Sequence, residues 1–153
     1  MKRWLWFCGF LAAVCLLSRL PHPAVDVGEL EPVAVVMVDW YDGRYHLKTD
    51  TQAQGSGETL EEAAQALAAE SSGIVFLETA ECVLLTPRIP VTEELYRVFR
   101  PACRVCLADT DTDPAKAAEY LAAHPPEQRL TDLWAGGRTP SWLEMEEQTD
   151  EGT

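Results

Sequence analysis

PVAVVMVDWYDGRYHLKTD, residues 32–50, is the stretch that decides the fold. Its first half, Pro32 to Trp40, is a β-branched run of strand length. Asp42–Gly43 follows. A type I′ turn needs positive φ at both central positions, and aspartate followed by glycine tolerates that. Beyond the turn the pattern alternates: Tyr45, Leu47 and Thr49 fall on one face, His46, Lys48 and Asp50 on the other. That is the signature of a half-exposed antiparallel partner.

Working outward, Ala53–Gly57 (AQGSG) has the composition of a flexible loop. Thr59 and Glu62 fit a capping box that starts a helix. Leu60, Ala63, Ala64, Leu67 and Ala68 recur at helical spacing, and their small size suits close packing on a sheet. Gly73 is placed to end that helix. Ile74–Glu78 and Glu81–Thr86 read as two strands or one broken strand, closed by Pro87 and Pro90. Thr92 is a candidate cap for a second helix over Glu93–Arg100, with Leu95, Val98 and Phe99 as its apolar side. Cys103–Ala108 reads as a short strand. Asp113–Pro114 combines an acidic cap with proline at the first helical position, opening a third helix that stops before Pro125–Pro126. The expected fold is α/β, with α+β as the alternative: a small mixed sheet of four to five strands packed with three helices.

The chain has 153 residues, enough for one ordinary domain. Its first part differs from the rest. Lys2 and Arg3 precede the uncharged run Trp4–Leu17, 14 residues long. A basic start before a short apolar run is the pattern of an export signal, and a permanent span needs roughly 20 apolar residues. The best cleavage point, Ala24, has His22 at the −3 place, so residues 1–24 are expected as a signal peptide or an uncut N-terminal anchor. In the latter case membrane contact runs through residues 4–20 and the body lies outside the cytoplasm. Setting this apolar helix aside removes Lys2, Arg3 and Arg19 and leaves 25 acidic against 9 basic residues, a net charge of −16. Such a surface repels phosphate backbones, which excludes nucleic acid as a partner. The folded domain is expected over residues 26–125. Residues 126–153, acidic and containing Trp134 and Trp142, are expected to be a disordered tail.

Candidate chemistry concentrates in CRVCLADTDTDP, residues 103–114. A redox CxxC sits where a helix begins, because the helix N-terminus stabilises the thiolate. Cys103 and Cys106 instead fall on a predicted strand, three positions apart, and point to opposite faces. A calcium loop counted from Asp109 through Asp111 and Asp113 needs glycine at its sixth place and glutamate at its twelfth. Those places hold Pro114 and Tyr120. His22, His46 and His124 form no close motif with cysteine or acid, so no metal site is expected. The body cysteines Cys82, Cys103 and Cys106 are odd in number, leaving at least one thiol unpaired in a monomer. No catalytic motif and no cofactor are expected.

The order of elements resembles a known family. GELEPVAVVMVDWYDGRYHLKTDT (28–51), GSGETLEEAAQALAAESSGIVFLETAECVLLT (55–86) and LYRVFRPACRVCLADTD (95–111) are similar to the N-terminal domain of the Ger(x)C lipoproteins, the C-subunits of spore germinant receptors. The matched features are Glu29–Leu30 before the first strand, Asp39 at its close, Ser56, Gly57 and Thr59 opening the first helix, and Arg100 and Arg104 bracketing a short segment before a later strand. The resemblance covers roughly residues 26–123. Cys8 follows Phe7 and Cys15 follows Val14, so neither has the small preceding residue of that family's lipobox. The resemblance implies a non-catalytic, membrane-tethered extracytoplasmic module acting through protein contacts, beside membrane-embedded receptor or other spore membrane proteins. Candidate contact residues are Arg100, Arg104, Trp134 and Trp142. The alternatives are a secreted small α/β ligand-binding domain, or a thiol-redox protein using Cys103 and Cys106.

Overall fold

The computed structural model describes residues 30–71, 74–89, 93–136 and 139–145. The expected N-terminal apolar helix, the Gly73 terminator and the Thr92 cap lie outside them. Among the described residues no helix is long and apolar enough to cross a membrane.

The chain is an α/β fold built on a five-stranded mixed sheet. Strand β1 (Leu30–Pro32) leads into β2 (Val35–Tyr41), the buried centre of that sheet. Strands β3 (Arg44–Thr49) and β4 (Gln54–Gly57) follow, then helix α1 (Leu60–Glu70). Strand β5 (Ile74–Phe76) passes through a 3-10 turn, Leu77–Thr79, into β6 (Cys82–Leu85). Helix α2 (Glu93–Val98), strand β7 (Arg104–Leu107), helix α3 (Pro114–Ala123) and helix α4 (Leu130–Gly136) complete the order. The sheet runs β4-β3-β2-β6-β7, while β1 pairs with β5 in a separate parallel pair. Strands β2, β6 and β7 are mutually parallel, and β3 is antiparallel to both of its neighbours.

The residues expected to turn the chain do so. Asp42 and Gly43 take φ of 53° and 74°, and Tyr41 pairs with Arg44 across the turn. Tyr45, Leu47 and Thr49 are buried while Lys48 is exposed. Thr59 and Glu62 form the full capping box of α1. Asp113 accepts from the Ala115 amide at 3.0 Å to cap α3.

Side chains alternate across the sheet and build two cores. Val36, Val38, Leu47, Val83, Leu85 and Val105 face α1, α2 and α4. Val35, Met37, Cys82, Leu84 and Cys106 face α3, through Ala117 and Leu121. The central strands are therefore buried on both faces, as a parallel sheet flanked by helices requires.

Two expectations are corrected. The AQGSG segment is not a loop: Gln54–Gly57 is the edge strand β4, paired with β3. Its glycines are there for proximity. A Cβ at Gly55 would meet the backbone of Ala63 and Leu67, and one at Gly57 the backbone of Ala63 and Glu62. The second correction concerns the disordered tail expected over residues 126–153, in its described residues 126–136 and 139–145. Leu130 and Leu133 of α4 are buried in the first core. Residues 128–130 run antiparallel along the outer edge of β7, with Val105 donating to the Gln128 carbonyl and Leu130 to that of Cys103. Residues 141–143 cover the other half of the same edge, where Leu107 donates to Ser141 and Leu143 to Leu107. The Gln128 carboxamide joins the two segments by accepting from the Ser141 amide at 2.9 Å. An open parallel edge leaves unpaired amides and carbonyls, and this segment satisfies them.

Candidate functional site

The strands β2, β6 and β7 begin side by side. Glu81 and Cys82 both donate to the Ala34 carbonyl, at 2.9 and 3.1 Å, and Arg104 donates to Glu81 at 2.8 Å. These ties fix a row of strand beginnings as the base of a cleft of ~560 Å³. Ala34, Ala80, Ala102, Ala118, Ala122 and the Pro125–Pro126 pair supply small apolar lining. Arg100, Arg104 and Arg129 supply its positive charge, and Glu81 is the carboxylate among the lining residues. Three of the nine basic residues of the body thus converge on one place in an acidic chain.

Local structure holds each arginine. Arg100 follows α2 at the start of a turn closed by the Cys103 amide on the Arg100 carbonyl. Its guanidinium donates to the Thr79 carbonyl at 3.2 Å. Arg104 opens β7 and is half-buried. Arg129 precedes α4, where its amide donates to the Asp132 carboxylate at 2.9 Å. The loop is further pinned by Thr131 donating to the Pro101 carbonyl and by the Tyr96 hydroxyl donating to the Leu130 carbonyl at 2.6 Å. The guanidinium groups are carried on a braced frame, and among the described residues none of the three forms an ion pair. Charge without an internal partner is available to an external one.

The candidate residues therefore separate. Arg100 and Arg104 come together in the cleft. Trp142 is half-exposed on the edge segment beside Leu107, about 10 Å along β7 from Arg104. Trp134 lies within α4. Arg129 was not among the residues singled out by sequence, because it stood in the segment read as tail. Its signal was the Leu130–Leu133 spacing directly behind it.

The cysteines are core residues. Cys103 belongs to the first core and Cys106 to the second, on opposite sides of the sheet as expected. The thiols of Cys82, Cys103 and Cys106 are free and buried. Burial pushes the Cys103 thiol up to about 11, against the opposing pull of Arg100. Cys82 shares a sulfur hydrogen bond with Cys106 on the adjacent strand. That bond, with burial, raises Cys82, while the same bond lowers Cys106 against the effect of burial. The carboxyl ends of the strands offer a different set. Asp39 accepts from the Thr86 hydroxyl at 2.7 Å and from the Trp40 amide at 2.8 Å, while Asp109 and Asp111 stand exposed in the loop before α3. Among the described residues no group of three or more His, Cys, Asp or Glu side chains is placed to hold a metal ion.

No family model matches the chain, and neither does any curated protein or solved structure.

Proposed function

We propose that the chain is a non-catalytic, extracytoplasmic module tethered to the cytoplasmic membrane by residues 4–20, and that it works through protein–protein contacts. The resemblance to the Ger(x)C domain points to spore germination, or assembly of its receptor, as the setting, with membrane-embedded receptor or other spore membrane proteins as partners. One observation carries the contact reading: Arg100 and Arg104 open onto the same braced cleft, joined there by Arg129. Arginine is enriched at contact surfaces because its planar fork can bind a carboxylate in two places at once. Cys103 and Cys106 are buried on opposite faces of the sheet, which weighs against redox chemistry on the CxxC pair.

A secreted ligand-binding domain is the second reading. It draws on the cleft volume, which falls within the range that small ligands occupy. Tagged protein, fractionated from its native host through sporulation, separates the two. An intact Met1 in the membrane fraction supports the tether, and a mature start near Val25 in the soluble exported fraction supports secretion. In the same preparation, reversing charge with Arg100→Glu and Arg104→Glu is expected to abolish recovery of the membrane partner while the fold, followed by circular dichroism, is retained. Unchanged recovery removes these residues as contacts.

A further inference from the structure

We propose that the arginine cleft receives a short acidic segment of a partner protein, with side-chain carboxylates on Arg100, Arg104 and Arg129 and a small apolar side chain against the alanine–proline lining. This rests on the protein-contact reading and names the chemistry of that contact.

Charge complementarity selects the occupant. The cleft is lined by three arginines and one acidic residue, Glu81, whereas the chain as a whole carries a net charge of −13. At physiological ionic strength screening acts over about 8 Å, so the arginines at the cleft outweigh acids elsewhere on the surface. Between the charged residues the lining is mostly small and apolar, from alanines and the Pro125–Pro126 pair, which suits a peptide bearing methyl-sized side chains between its acids.

Carboxylate is favoured over phosphate by the direction of the helices. Phosphate sites recruit the free amides and positive end of a helix N-terminus. Here the cleft lies beyond the C-termini of α2 and α3: Arg100 and Ala102 follow α2, and Ala122 and Pro125 mark the end of α3. The start of α4, behind Arg129, offers no free amides, because those of Leu130, Thr131 and Asp132 donate to the carbonyls of Cys103, Pro101 and Arg129. Helix C-termini carry partial negative charge from unpaired carbonyls. They oppose a dianion more than a single carboxylate, and they favour the arginines themselves.

The test is fluorescence anisotropy on the full chain in detergent micelles. The probe is a labelled hexapeptide alternating glutamate and alanine, capped at both ends, with its glutamine counterpart as control. The glutamate peptide is expected to bind at least about tenfold more tightly than the glutamine peptide. The paired substitutions Arg100→Gln and Arg129→Gln, both at exposed positions, are expected to weaken glutamate-peptide binding by about tenfold or more with an unchanged circular dichroism spectrum. Equal binding of the two peptides overturns the proposal, as does binding indifferent to the two substitutions. Displacement by inorganic phosphate at concentrations where acetate has no effect also overturns it, because the site would then select phosphate. If the glutamate peptide fails to bind while Arg100→Glu and Arg104→Glu still abolish partner recovery, the contact reading stands and the acidic occupant falls. If both fail, both fall.

Discussion

At the scale of single residues, the buried polar groups and the thiols set measurable terms. Thr86 is fully buried and donates to Asp39, two residues before the end of the central strand β2. Thr86→Val removes the donor and leaves a carboxylate oxygen with less support, which is expected to cost about 1–3 kcal/mol in urea unfolding. Gly55→Ala presses a methyl group into the backbone of α1 and is expected to cost about 1–3 kcal/mol by overpacking. The thiols give a pH term of definite sign. Cys103 titrates at about 11 in the folded chain, above the value of 9.0 for an unperturbed thiol. Folding thus favours the protonated form, and that contribution is fully present below pH 9.0 and is lost as pH rises through about 11. The difference in urea midpoint between the native chain and Cys103→Ala is expected to be flat up to pH 8.5 and to shrink between about 9 and 11. The sequence showed where Cys103 and Cys106 point, because alternation along a strand is a local rule. It could not show the contact between Cys82 and Cys106, which depends on two strands joined through α2.

At the scale of elements, local signals and tertiary ones part company. The β2–β3 hairpin was legible because its turn chemistry and both flanking patterns lie within 19 consecutive residues. The start of α1 was legible for the same reason, and Thr59→Ala is expected to destabilise the chain by about 1 kcal/mol through loss of the capping box. Strand β4 was not legible. A run of Gln, Gly, Ser and Gly has the composition of a linker, and nothing in it reveals that a helix lies against its glycines. The same residues are demanded by a flexible loop and by close backbone packing, so composition alone cannot separate the two. Helix α4 was hidden by its neighbours. It has only seven residues, bounded by charged and glycine-rich sequence, and its burial rests on Leu130 and Leu133 meeting a core made elsewhere.

At the scale of the whole molecule, the C-terminal segment does two things at once. It seals the outer edge of β7, and it brings Arg129 to the cleft that Arg100 and Arg104 already line. A chain ending at Glu127 loses α4 and uncovers the amides of Val105 and Leu107. Such a chain is expected to self-associate in size-exclusion chromatography, since an open sheet edge templates pairing with another copy. A monomeric, stable truncated chain would contradict the role given to this segment. The candidate site follows the same division as the fold. Arg100 and Arg104 stood out in sequence as basic residues in an acidic chain, but their convergence with Arg129 depends on the return of residues 128–130 along β7.

The central claim is that this cleft is where the module meets its protein partner. The most direct measurement is site-directed photo-cross-linking from Ala102, an exposed residue of the cleft wall, in intact membranes of the native host. A discrete cross-linked partner that disappears on Arg100→Glu and Arg104→Glu is the predicted result. Absence of any cross-link, or the same adduct after charge reversal, would contradict the account.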